Sequence, residues 1–355
     1  MSVFKLKGKA KAAGTNEFNQ EMKSVSLTRD AWNRLKKNRM AYISFWIVMT
    51  YMLIALLAPV LPIHHYEAQN VNHANFPPSF KTAGQLELET RTAYIKKLMN
   101  KEGRTEYSAA EQEELEGIKA RNESDPGQKN HYFLGTDSLG RDMLARTIYG
   151  GRISMLIGVI GTVTALLIGI VVGAVSGYLG GWMDSFIMRC VDIMYGLPYM
   201  LLVIIMMAIL GRSTAILFVA IALVSWLTIA RVVRGQVMSL KNTEYILAAR
   251  SMGAGGWHII FQHLIPNTLG IIIAYSAMSL PEFIMSESFL SFLGLGVSAP
   301  LASWGSLISD GVQGMGLYPW GLLVPAVTMT VFLFAMNFLG DGVRDAFDPQ
   351  SKNRV

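Results

Sequence analysis

The chain has 355 residues, 52% of them apolar and only 16% charged, whereas a soluble domain carries roughly a quarter charged residues. That balance argues against an ordinary soluble enzyme and for a membrane protein. The net charge of +6 comes from cations that flank apolar runs, which is the pattern of the positive-inside rule rather than of a nucleic-acid surface. The single cysteine, Cys190, supports neither an intrachain disulfide nor a thiolate metal site.

A helix crosses the hydrocarbon with about 20 mostly apolar residues. Residues 40–63 meet this first. The polar stretch ahead of them is far longer than the basic lead of a cleavable signal, so the run reads as an uncleaved span. Arg34, Lys36, Lys37 and Arg39 stand directly before it and place segment 1–39 in the cytoplasm. Segment 64–152 is then outside. Within it, "GQLELETRTAYIKKLMNKEG" and "SAAEQEELEGIKARNE" read as charged amphipathic helices, the second opened by a capping box of Ser108 and Glu111. This insertion is either a solvated cap or a docking surface for an external partner.

Residues 153–183, 193–211, 213–230 (running on towards 233), 268–290 and 318–339 read as spans two to six, the membrane core covering 153–343. Arg231 and Arg234 follow span four, Lys241 and Arg250 lie in loop 240–267, and Arg344, Lys352 and Arg354 lie in tail 344–355. These cations put both termini inside. The loop between spans five and six holds no Lys or Arg. The outer segment carries both signs, but loops beyond about 60 residues escape the rule.

Loop 240–267 contains "EYILAARSMGAGGWHIIFQHLIPN". Tyr245, Ala248, Ala249 and Met252 recur at helical spacing, as do Trp257, Ile260, Phe261 and Leu264. "GAGG" between them breaks the helix, and Pro266 suits the start of span five. Two short amphipathic helices at an angle follow, each with an apolar face to cover. They form either a pair lying on the membrane surface or a knob for another protein's cleft.

The residue order resembles the EAA loop in the membrane subunits of bacterial ABC importers: Glu-Ala-Ala, three residues, Gly, nine residues, Ile-x-Leu-Pro. Here it reads Leu247-Ala248-Ala249, three residues, Gly253, nine residues, His263-Leu264-Ile265-Pro266. Leu247 replaces the glutamate, with Glu244 one turn earlier. "HYFLGTDSLGRDMLARTIYGGRIS" from His131, "SESFLSFLGLG" from Ser286 and "NFLGDGVRDAFDP" from Asn337 resemble motifs of the second permease subunit in the oligopeptide, dipeptide and nickel group. The resemblance implies an all-α polytopic protein of the type I importer kind, with six spans, a coupling loop and a large outer loop between spans one and two. It implies a homologous second permease, two ATP-binding subunits and an extracytoplasmic binding protein as partners. Glu244, Ala248, Ala249, Gly253, His263 and Pro266 would couple the spans to the ATPases.

No G-x-x-x-x-G-K-[ST] loop occurs, so the chain is expected to need no cofactor of its own and to leave ATP to partner subunits. Glu282 and Glu287 lie in span five, where charges are costly and functional by default. They either line the pathway, act in gating, or pair near the outer interface with Arg212 or a partner chain. Asp137, Arg141, Asp142 and Arg146 before span two read as an ion-pair network, with the arginines on an interfacial helix. His64, His65 and His73 follow span one without a ligand pattern, and His258 and His263 flank the second knob helix. An intramembrane enzyme would need a nucleophile and a positioned base within the spans, and every histidine lies outside them. A self-sufficient channel or secondary transporter would show paired broken helices or an internal repeat, and would leave the knob without a use. The reading is therefore an inner-membrane permease subunit for peptides, with nickel or another small solute as the alternative cargo.

Overall fold

A computed structural model of the chain describes residues 27–347, Arg212 excepted. Lys352, Arg354, Arg212 and positions 1–26 lie outside the described residues. Among those described there is no strand. The helices are α1 (Leu27–Lys37), α2 (Arg39–Leu57), α3 (Ala83–Glu102), α4 (Ala109–Ser124), α5 (Met143–Leu179), α6 (Gly181–Tyr195), α7 (Tyr199–Leu210), α8 (Thr214–Leu240), α9 (Glu244–Ser251), α10 (Gly256–His258), α11 (Ile265–Phe292), α12 (Trp304–Gly314) and α13 (Trp320–Phe347). Five are long and apolar enough to span a membrane, counting Gly256–Phe292 as one rod, and the bent pair α6–α7 makes a sixth.

The expected spans shift in four places. Span two begins ten residues early, at Met143, so Arg146 rides on the span's own first turn and not on a separate interfacial helix, while Arg141 precedes it. Span three is broken. Gly196, Leu197 and Pro198 separate α6 from α7, which bend through 82°. Proline withholds an N–H and pushes its predecessor out of the helical region, so the run cannot stay straight. Span four continues to Leu240. The second knob helix is continuous with span five, joined by a π-helical turn at Ile259–Leu264. Pro266 cannot donate to the Gln262 carbonyl and its ring would crowd it. The Ile265 N–H instead reaches back to the Ile260 carbonyl, and the turn widens.

The centre of the bundle is α5 laid along α8. Ala165, Gly169, Gly173 and Gly177 recur every four residues and bring the two backbones together. A Cβ on Gly169 would lie 2.9 Å from the Trp226 carbonyl oxygen, and one on Gly177 2.8 Å from that of Arg234. Around this seam α11 packs on α5 and α13, and α13 packs on α2. Arg234 holds Asp184 of α6 with two bonds of 2.5 and 2.6 Å, and Arg231 holds Asp192 at 2.6 Å. The cations taken as topology markers therefore also fasten α6 to α8.

In the segment between α2 and α5, α3 packs against α4. Both start with complete capping boxes, Thr82 with Gln85 and Ser108 with Glu111. Arg104 and the Ser108 N–H hold the half-buried Glu111 carboxyl down at about 2.

Candidate functional site

The knob is α9 and the start of the Gly256–Phe292 rod. Helix α9 ends in a Schellman motif: the Gly253 N–H donates to the Arg250 carbonyl (3.0 Å) and the Ala254 N–H to that of Ala249 (3.1 Å). Gly253 has φ +87°, so glycine four residues after Ala249 is what this ending requires. Ile246 faces inward and joins Ile259, Ile260 and Leu264 in the main core, and Ala249 is buried beside it. Lys241 Nζ ties the base of the knob to the Gly177 carbonyl at the end of α5, at 3.0 Å. The knob is thus rooted in the same core as α5, α8 and α11.

The outer face of the knob is apolar and open. Met252 is 82% exposed and Trp257 64%, the latter stacked on Phe261 at 5.9 Å. Tyr245, Ala249, Met252, Gly253, His258 and His263 line one shallow depression. Of the six positions singled out, Ala249, Gly253 and His263 meet there; Glu244 and Ala248 are exposed on the same helix, and Pro266 lies beyond the π turn. The π turn also changes the second helix's phase. Ile259 goes inward with Ile260 and Leu264, while Trp257 and Phe261 stay outside.

The two span-five glutamates have opposite surroundings. Glu287 is wholly buried. It accepts hydrogen bonds from Ser154 Oγ of α5 (3.2 Å) and Ser291 Oγ (2.6 Å). Ser154 also accepts the Trp304 N–H at 3.1 Å, and Ser291 lies 3.3 Å from Ser303. Glu287 therefore joins α5, α11 and the start of α12 from within the packed interior. Helix α12, the Trp304 anchor and the serines went unnoticed in sequence; the only local signal was the Ser303–Ser306 capping box. Removing the carboxylate by Glu287→Ala strands these buried hydroxyls and opens a void, so thermal unfolding of the detergent-solubilised protein should show a loss of about 2 kcal/mol. Glu287→Gln, which keeps an acceptor, should lose about 1 kcal/mol or less.

Glu282 instead faces a cleft of about 840 Å³ between the α6–α7 break, α8 and α11. Met, Tyr, Phe, Ser and Thr side chains make up most of its wall.

At the other end of α5, Asp137 receives Arg141 Nε (2.6 Å) and the buried Arg146 (2.5 Å). Asp142 takes neither arginine. It caps α5 through the Leu144 N–H (2.9 Å) and meets His64 Nδ1 at 3.0 Å. His73 is buried against the Tyr132 hydroxyl at 3.0 Å. The Asp142 hydrogen bond raises the His64 pKa, with burial opposing. A raised histidine stabilises fully below its unfolded value of 6.5, and that contribution fades as pH rises through the folded value. His64→Ala should therefore lower Tm more at about pH 6 than at about pH 8.5.

With this architecture in place, family comparison is decisive. Residues 165–353 match the model of the binding-protein-dependent transport system inner membrane component, and residues 26–78 that of the N-terminal TM domain of oligopeptide transport permease C. The chain belongs to this permease family. It is 38% identical to the dipeptide transport system permease protein DppC of Bacillus subtilis, over 92% of this chain and 87% of that protein. It is 37% identical to OppC, the oligopeptide transport system permease of the same organism, over 92% and 91%. It is 44% identical to Escherichia coli OppC over 64% of this chain and 76% of that one. A solved chain of the inward-facing MetNI methionine ABC transporter superposes with a TM-score of 0.48 at 18% identity, covering 58% of this chain and 98% of its own. Neither family model reaches residues 79–164.

Proposed function

We propose that the chain is one of two permease subunits of an ATP-driven importer of di- or oligopeptides in the cytoplasmic membrane. The observation that carries this is the knob: a rigidly capped helix, rooted in the same core as the spans, with an uncovered apolar face. Two ATP-binding subunits would receive it, each permease offering one knob. Closure of the ATPases would shift α9 and swing α5, α8 and α11 between inward-open and outward-open states. Nucleotide and loaded binding protein drive this only by binding the two states unequally. The chain supplies no catalytic group and leaves ATP to its partners.

In this reading segment 1–39, loop 240–267 and tail 344–355 are cytoplasmic. Segment 64–142, with α3 and α4, faces the binding protein. The cleft beside the broken span is the pathway, and a second permease closes its open side. The test is gentle solubilisation of native membranes, capture of this chain and mass spectrometry of what accompanies it. A related permease with one or two P-loop ATPases is expected. A chain recovered alone, and active in liposomes without ATP, would make it a channel or secondary transporter.

A further inference from the structure

Among the described residues, the carboxyl group in the cleft beside the broken span has no hydrogen-bond or ion-pair partner. Glu282 is the single charged side chain among the described residues that line it. The nearest described cation on α8, Arg231, is already engaged: it bonds Asp192 at 2.6 Å and stacks on the Tyr195 ring at 4.0 Å. Five residues along the same helix, Glu287 shows what a satisfied carboxylate looks like in this protein, enclosed by serines. Glu282 has no such shell and opens onto the void. A charged group inside a span is costly to place, and one presented to a cavity marks a path for a complementary charge.

Two further features surround it. The Tyr199 hydroxyl is shut off from solvent beside Ser225 and Ser286, yet makes no hydrogen bond of ordinary geometry. A hydroxyl so placed can turn towards either serine or towards a guest in the cleft. The cleft wall also includes the break itself, through Tyr195, Leu197 and Pro198. Irregular backbone at membrane depth is tolerated where it lines a cavity, and the negative dipole end of α6 favours positive charge.

We infer that Glu282 is a cation subsite on the translocation path, which receives the protonated amino group of the passing peptide. The inference rests on the importer reading above. The amino group is the one cation every unblocked peptide carries whatever its sequence. The rest of the wall suits varied side chains, since methionines such as Met194, Met200 and Met285 adapt their shape and the Tyr275 and Phe289 rings add faces for apolar or cationic groups. A carboxylate that fixes the amino group, with deformable walls beyond it, accepts many sequences while rejecting anionic solutes.

The test uses the whole importer in proteoliposomes, with ATP inside, binding protein outside and radiolabelled alanine oligopeptides as probe. Glu282→Gln should lower uptake about tenfold, the scale of one lost charge-assisted contact. Glu282→Asp should retain most of the rate, and Glu282→Lys should fall below the glutamine variant. Co-purification of the second permease and ATP hydrolysis stimulated by loaded binding protein should stay at wild-type levels in all three. Wild-type uptake by Glu282→Gln overturns the subsite and leaves the importer reading standing. A loss of uptake matched by loss of the second permease also overturns it, assigning Glu282 to an ion pair between subunits. If the wild-type complex itself shows no ATP-dependent uptake, the importer reading fails and the subsite falls with it.

Discussion

Gly173→Leu should leave little folded protein in the membrane, and what survives should melt far below wild type in detergent. The α5–α8 seam is a close helix pair at the centre of the bundle, and Gly173 sits at its middle, with the Ala230 carbonyl oxygen and the Val233 side chain where a Cβ would go. A side chain that meets only the tip of another can be accommodated by a rotamer change. One that meets a backbone carbonyl must move the helix. Overpacking a tight core costs about 1–3 kcal/mol and sometimes more, and here the displaced helix also carries Arg231 and Arg234, which hold α6. A loss at or above about 3 kcal/mol is expected. Gly173→Ala probes the same contact with one carbon and should cost less. If Gly173→Leu accumulates and melts as wild type does, the seam is looser than these distances require.

What could be read from the chain follows from where the information lies. Spans are legible because about 20 apolar residues in a row is a local property. The break in span three was equally local, written as Gly196-Leu197-Pro198, but a hydropathy reading averages across such a triplet and returns one span. The end of α9 was legible because a positive φ calls for glycine, whereas the facing of the second knob helix was not. A period of 3.6 assigns Phe261 to the same side as Ile260 and Leu264, and the π turn forced by Pro266 overrides it. The environment of Glu287 was out of reach for a different reason. Ser154 stands 133 positions away in sequence, so nothing local separates a carboxylate caged by hydroxyls from the open Glu282 five residues earlier. Asp142 was grouped with Asp137 on spacing alone; its role as the cap of α5 depends on where that helix begins, which the charges there obscured.

Met252→Asp should abolish ATP-dependent uptake while leaving the protein inserted and as heat-stable as wild type. Met252 is almost fully exposed at the end of α9 and lines the knob's depression, so the new carboxylate costs this chain nothing in packing. The cost falls on whatever covers the knob: a charge forced into an apolar contact and left unpaired costs several kcal/mol or blocks docking. Co-purification of the ATPases should fall accordingly. Gly253→Leu separates docking from backbone geometry. A Cβ there meets open space, so no neighbour is displaced, but φ +87° becomes strained by about 1–2 kcal/mol, and the leucine projects from the same surface. It should impair uptake with the ATPases still bound in part. Ile246→Asp is the control, since Ile246 is buried in the core and its loss should damage folding itself. If Met252→Asp transports at the wild-type rate, the open face of the knob is not the surface through which ATP hydrolysis reaches the spans, and the helix pair lies against lipid instead.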